Sequence, residues 1–391
     1  MNIALATKSP AAGIARRVRV MIVDDAVVVR GLFTRWIEAE SDLELVASLR
    51  SAREAIDKIE SGDPDVVLLD IEMPDLDGLA ALPLLLAKKR DLVVIMASTL
   101  TRRNAEISLK ALSLGATDYI PKPTSGRDVA GSNSFRRELI EKVRQLGLRA
   151  RRLRLTGSMR TPSSGAAAGA AKAAASAGKR ALEVAAPSFA LRPMPVATPR
   201  VLLIGASTGG PQALNALMSR LDDVLERVPV LITQHMPPTF TAILAEHIAR
   251  VAKRPAHEAQ DGEEVNAGTV YVAPGGMHMR VVRRDGVAVI ALDDGPPVNF
   301  CKPSVDPLFS SAAQVWGSWV LGLMLTGMGA DGSRGAQAIV SAGGAMIAQD
   351  EATSVVWGMP GHVAQAGLCS AVLPLNDIAG KLTRLFGSER P

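Results

Sequence analysis

Three aspartates, two hydroxyls and a lysine in the first third of the chain are of types suited to phosphate chemistry. Asp24 and Asp25 follow VRVMIV, Asp70 closes DVVLLD, Ser98 and Thr99 follow LVVIMA, and Lys122 comes just after a short run at 117–120. Carboxylate oxygens suit Mg²⁺, a lysine offsets charge on phosphoryl oxygens, and an aspartate can itself take the phosphoryl group.

A second set lies beyond residue 200. The turn GASTGG at 205–210 follows an apolar run and precedes Pro211. Two readings fit it: a glycine-rich turn that cradles a phosphate at a helix start, or a G-x-S-x-G turn that exposes Ser207 as a nucleophile. A nucleophilic serine needs a base, and of five histidines His235 alone follows an apolar run of the same kind, VPVLIT. His247 falls within an amphipathic stretch, His257 and His278 in or beside loops, and His362 near a later helix. An orienting carboxylate could be Asp331 in GMGADG or Asp350 at the end of AMIAQD, and spacing does not separate them.

These residues share a placement, which the elements around them explain. Short β-branched runs at 18–23, 44–49, 65–69, 92–97 and 117–120 alternate with helical patterns at 28–40, 52–60, 78–87 and 104–113. The alternation resumes at 201, with helices expected at 211–226 and 239–251 and later strands at 269–274, 319–327, 345–350 and 370–375. Continuous apolar strands between helices predict parallel sheets covered on both faces, in two doubly wound α/β domains. In such sheets functional groups gather outside the carboxyl ends of the strands, which is where Asp24, Asp25, Asp70, Ser98, Lys122, Ser207 and His235 fall.

Length and composition agree. At 391 residues the chain exceeds the size of a usual single core, and 48% hydrophobic residues suffice for two. Aromatics are only 3%, so aliphatic packing must dominate. Between 124 and 199 an Ala-rich, Pro-containing stretch reads as a linker, whose first part, 134–154, has helical periodicity and could instead extend the first domain. The net charge of +5 concentrates near the start and in the run Arg149, Arg151, Arg152 and Arg154, without interleaved aromatics. A solvated basic linker is expected rather than a nucleic-acid surface. Two cysteines give no disulfide framework or zinc spacing, and no stretch approaches the ~20 apolar residues of a membrane helix or forms a signal peptide. A cytoplasmic protein without membrane insertion is expected.

Residues 18–125 resemble the receiver domain of two-component response regulators, through VDD (23–25), LLDIEMPDLDGL (68–79), MAST (96–99) and GATDYIPKP (115–123). The resemblance implies phosphorylation of Asp70 by a partner histidine kinase, and Mg²⁺ held by Asp24, Asp25, Asp70 and the backbone carbonyl of Glu72. It further implies a phosphoryl contact from Lys122 and a switch formed by Ser98 and Tyr119.

The second half is similar to chemotaxis protein-glutamate methylesterases, through GASTGGP (205–211), TQHMPPTFT (233–241), APGGMHM (273–279), KPSVDPLF (302–309), LTGMGADG (325–332) and AQDEATSVVWGMP (348–360). By that resemblance Ser207 is the nucleophile, His235 the base and Asp331 the orienting carboxylate. Backbone N–H groups at Thr208 and Met328 are candidates for an oxyanion hole, and the esterase needs no cofactor. The implied substrates are glutamate methyl esters on the cytoplasmic helices of chemoreceptors, with deamidation of receptor glutamines as a second activity. The chain then divides into an N-terminal extension (1–17), a flavodoxin-like receiver (18–135), a basic Ala/Pro-rich linker (136–198) and a Rossmann-like catalytic domain (199–388). Phosphorylation of Asp70 is expected to loosen a receiver–catalytic interface and expose Ser207. The linker is longer than the family's usual connector, which lowers the effective concentration of one domain at the other. Cys301, in VNFCKPSVD, is expected to be inert packing.

Overall fold

The computed structural model describes residues 17–122, 133–158 and 189–387. The expected N-terminal extension up to residue 16 and the Ala-rich centre of the linker lie outside them.

The first domain is a five-stranded parallel sheet of β1 (Val18–Val23), β2 (Leu43–Leu49), β3 (Val66–Asp70), β4 (Val93–Ser98) and β5 (Asp118–Pro121), in the order β2-β1-β3-β4-β5. Helices α1 (Val27–Glu38), α2 (Ala52–Gly62), α3 (Gly78–Lys88) and α4 (Arg102–Ser113) connect the strands. Their starts are written locally: Ser51, Asp77 and Thr101 each accept a hydrogen bond from a backbone N–H three residues on.

Helix α5 (Asn133–Ser158) occupies sequence expected to begin the linker. Its Leu139, Ile140, Val143, Leu146 and Ala150 are buried in one cluster with Val18, Val20 and Phe33 of the first domain. Its arginines meet the acidic rim at the strand starts: Arg144 pairs with Glu40 and Asp42, Arg151 with Asp65, and Arg154 with Asp65 and Asp91. Through residue 154 this basic stretch is therefore a packed, ion-paired helix rather than a solvated one, because apolar residues at helical spacing line its opposite face.

The second domain is a seven-stranded, all-parallel sheet. Its strands are β6 (Val201–Ala206), β7 (Val230–Gln234), β8 (Ala256–Glu258), β9 (Val270–Val272), β12 (Val320–Met324), β13 (Ala345–Gln349) and β14 (Ala371–Leu373). They lie in the order β14-β13-β12-β6-β7-β9-β8. The chain leaves β6 in one direction and later returns to its other side at β12, so the crevice between β6 and β12 is a topological switch point. Covering helices are α6 (Gly210–Met218), α7 (Asp222–Arg227), α8 (Phe240–Ala252), α9 (Val305–Trp316), α10 (Ser333–Ser341), α11 (Met359–Gln365) and α12 (Leu375–Phe386).

Three local expectations change. The single helix expected at 211–226 is two, α6 and α7, with Asp222 and Asp223 supplying the negative charge that favours a new first turn. Strand β8 and helices α9 and α12 are additional. So is an antiparallel hairpin of β10 (His278–Arg284) and β11 (Val287–Asp293), turned by Asp285-Gly286 with both residues at positive φ. No helix among the described residues is long and apolar enough to cross a membrane.

Candidate active site and phosphoacceptor site

At the carboxyl edge of the first sheet, Lys122 stands between two buried carboxylates, 2.8 Å from Asp24 Oδ2 and 2.7 Å from Asp70 Oδ1. Burial pushes the Asp70 carboxyl up to about 6 against the opposing charge of Lys122, and neighbouring Asp24 adds to the rise. Asp24, Asp25 and Asp70 each bring an oxygen within 4.8 Å of the others. Such a hard, all-oxygen set next to an ammonium group fits Mg²⁺, which a receiver domain implies. The Glu72 N–H donates to Asp70 Oδ1 at 3.3 Å, so the backbone after β3 folds back over that carboxylate. Ser98 is buried and accepts from Ser108 Oγ at 3.1 Å, while its carbonyl accepts from the Lys122 N–H at 2.6 Å.

Tyr119, on β5, leaves this edge for the second domain. Its ring stacks on Phe240, the first residue of α8, with centroids 4.7 Å apart and planes 8° apart. Around the pair, Arg102 pairs with Glu246 at 2.8 Å and Gln212 Nε2 donates to the carbonyls of Ala116 and Thr117. Farther along, the Arg137 guanidinium of α5 lies 4.3 Å from the centre of the Phe300 ring. Val356 joins the apolar cluster under α5, with Met328 and Val355 packed against it.

In the second domain the loops after β6, β7 and β12 meet. Ser207 donates its N–H to Thr326 O at 3.0 Å, and Gln234 Nε2 donates to Ser207 O at 2.9 Å. Gly327 lies against Ser207, where a Cβ would stand 2.9 Å from that of the serine. His235 follows β7 with its Nε2 2.8 Å from Asp331 Oδ2. Asp331 in turn accepts from Asn299 Nδ2 at 2.7 Å, Ser304 Oγ at 2.6 Å and the Val305 N–H at 2.6 Å. Burial opposes its charge, but His235 and these donors outweigh burial and hold its carboxyl well below the usual carboxylate range.

Asp350 does not reach the histidine. It accepts from the N–H and hydroxyl of Thr353 and closes its own turn. The other four histidines bond elsewhere: His247 to Asn215, His257 to Glu263, His278 to Pro296 O and His362 to Gly358 O.

The remaining nitrogen of His235, Nδ1, faces Cys301 Sγ at 3.4 Å. Cys301 is thus a neighbour of the imidazole rather than inert packing, held in a loop at 298–301 that closes on itself. Burial disfavours a charged ring, but the Cys301 sulfur, when ionised, and the Asp331 hydrogen bond together raise the His235 pKa above the usual imidazole range. Among the described residues no hydrogen bond joins Ser207 Oγ to His235, and neither the Thr208 nor the Met328 N–H donates one. Asn299, Ser304, Gln234 and Phe240 are contacts that the residue pattern left unmarked, although Ser304, Gln234 and Phe240 sit inside the motifs KPSVDPLF and TQHMPPTFT.

Residues 202–382 match the family model described as CheB methylesterase, and residues 20–131 match that of the response regulator receiver domain. The chain is 60% identical over 379 residues to the protein-glutamate methylesterase/protein-glutamine glutaminase of Rhodopseudomonas palustris strain BisB5, covering 95% of each chain. It is 59% identical over 377 residues to the protein of that name from the group 2 operon of Bradyrhizobium diazoefficiens strain USDA 110, again covering 95% of each. Among solved structures it is similar to the Thermotoga maritima CheB methylesterase catalytic domain, with 38% identity and a TM-score of 0.47, covering 48% of this chain and 100% of that domain.

Proposed function

Because the chain belongs to the CheB methylesterase family, carrying a receiver domain ahead of the methylesterase domain, we propose that it hydrolyses glutamate methyl esters of chemoreceptors, and deamidates receptor glutamines, under control of Asp70 phosphorylation. The hydrogen bond between His235 and Asp331, one strand over from Ser207 at the switch point, is the observation that carries this reading.

Ser207 Oγ attacks the ester carbonyl while its proton passes to His235. Since Asp331 holds Nε2, the accepting nitrogen is Nδ1, and Cys301 yields that position during the reaction. Asp331 keeps the ring oriented and stabilises its positive charge. The proton leaves with methanol, a water then attacks the acyl-enzyme with His235 again as base, and a glutamate carboxylate is released. With a glutamine substrate the same steps release ammonia. The free N–H groups of Thr208 and Met328 are suited to the developing oxyanion, a contribution worth several kcal/mol in acyl transfer.

In the receiver, Mg²⁺ would sit among Asp24, Asp25, Asp70 and the Glu72 carbonyl, where it offsets phosphoryl charge. A histidine kinase of the chemosensory pathway supplies the phosphoryl group, and the protein acts in the cytoplasm, where the receptor helices lie. Ser98 and Tyr119 carry the change from Asp70 to the interface, and the contacts of Tyr119 with Phe240 and of Arg137 with Phe300 support a closed, unphosphorylated form. We take residues 17–154 as the receiver unit and 199–387 as the catalytic unit.

Methanol release from a methylated receptor fragment, with and without a small-molecule phosphodonor, tests this reading. Wild type should release methanol faster with phosphodonor, Ser207→Ala should release none, and Asp70→Asn should keep basal release without the increase. Undiminished release by Ser207→Ala would end the esterase reading, and an equal response in Asp70→Asn would end the control mechanism.

A further inference from the structure

We propose that Cys301 and His235 form a binding site for a thiophilic divalent cation, of which Zn²⁺ is the representative, and that its occupation shuts off the esterase. Three features support it. First, the sulfur lies 3.4 Å from Nδ1, and tetrahedral zinc with ordinary Zn–S and Zn–N bonds sets its ligand atoms about 3.5 Å apart. Second, the opposite nitrogen, Nε2, bonds Asp331 Oδ2 at 2.8 Å. That carboxylate–histidine arrangement keeps the ring N–H on Nε2, so Nδ1 is the nitrogen that gives up its proton to a cation, and it strengthens Nδ1 as a ligand. Asp331 is itself immobilised by Asn299, Ser304 and Val305. Third, Cys301 is partly exposed, so an ion can enter from solvent and water can complete its coordination.

Binding releases to solvent the one proton shared by Sγ and Nδ1, and the sulfur and the Nδ1 lone pair become the two protein ligands. The mixed sulfur and nitrogen donors select zinc-like ions over Mg²⁺, which the all-oxygen Asp24–Asp25–Asp70 cluster prefers. One chain thus carries two cation sites of opposite character: a hard one associated with phosphorylation and a soft one that occupies the base. The inhibitory consequence rests on His235 being the base, whereas the binding itself rests on geometry alone.

The test uses the full chain in excess Mg²⁺, so that the acidic cluster is occupied. Co²⁺, a spectroscopic stand-in for zinc, is titrated while near-ultraviolet thiolate-to-cobalt charge-transfer absorption is followed. Zn²⁺ inhibition of methanol release is measured in parallel, each variant against its own metal-free rate. Wild type should develop the band with one equivalent and lose activity to Zn²⁺. Cys301→Ser and Cys301→Ala should lack the band and need at least about tenfold more Zn²⁺ for the same fractional inhibition. Serine nearly preserves the size and hydrogen bonding of the side chain, so it controls for misfolding of the alanine variant. Absence of the band in wild type, or its persistence in both variants, would overturn the site. A band without inhibition would leave the site standing and overturn His235 as the base.

Discussion

Tyr119 of the receiver sheet lies flat on Phe240 of the catalytic domain, ring centres 4.7 Å apart, and this stack ties the edge that holds Asp70 to the helix that follows His235. An offset aromatic pair contributes about 0.5–1.5 kcal/mol beyond the area it buries. Removing it should therefore shift a closed–open balance about two- to tenfold. Tyr119→Ala is expected to raise methanol release without phosphodonor by that factor and to shrink the further gain on phosphorylation. Basal release equal to wild type would remove Tyr119 from the coupling. Arg102→Ala, which breaks a solvent-exposed pair with Glu246, should give a smaller, salt-sensitive increase of the same sign.

Asp331 and Asp350 end neighbouring strand-loop units but differ in what they touch. Asp331→Asn should lower kcat by roughly 10³–10⁴-fold with the fold intact, since it removes the charge that orients and stabilises the imidazole. Asp350→Asn should leave esterase activity nearly unchanged and cost about 1 kcal/mol in a denaturant titration, for the weakened bonds to Thr353. A loss of activity in Asp350→Asn comparable to that in Asp331→Asn would refute the assignment.

Gly78 opens α3 directly under Asp70. A Cβ there would sit 2.0 Å from the backbone oxygen of Asp70, with no flexible side chain to move aside. Gly78→Ala should destabilise the receiver by about 1–3 kcal/mol and slow phosphodonor labelling of Asp70, because the backbone carrying the acceptor must shift. Wild-type unfolding and labelling would show that the helix start can retreat.

The two cysteines should separate cleanly by reactivity. Cys369 is fully buried in the apolar cluster of the second domain, and burial pushes its thiol up to about 12, so it stays neutral and inaccessible at pH 8. Cys301 is partly exposed. A colorimetric disulfide reagent should titrate one thiol in the folded protein and a second only after denaturation. Loss of the fast thiol in Cys301→Ser would identify it, and two fast thiols in wild type would contradict the buried environment of Cys369.

What the sequence determined by itself was placement along strands. Apolar runs such as DVVLLD and VLLIGAS must be buried on both faces, and a parallel sheet then brings Asp24, Asp70, Lys122, Ser207 and His235 to its carboxyl edges, whatever the strand order. That inference is local, needing only the alternation of strand and helix patterns. Tertiary structure decided which groups at an edge meet. Asp331 lies against His235 because β12 returns beside β6, whereas Asp350 follows β13, one strand farther out, and closes a turn of its own. The same long-range closure brings Asn299 and Ser304 onto Asp331, Phe240 under Tyr119, and the thiol of Cys301 to the free nitrogen of His235. These contacts join residues tens to more than a hundred positions apart. They depend on strand order, crossover and domain docking, none of which leaves a period in the sequence.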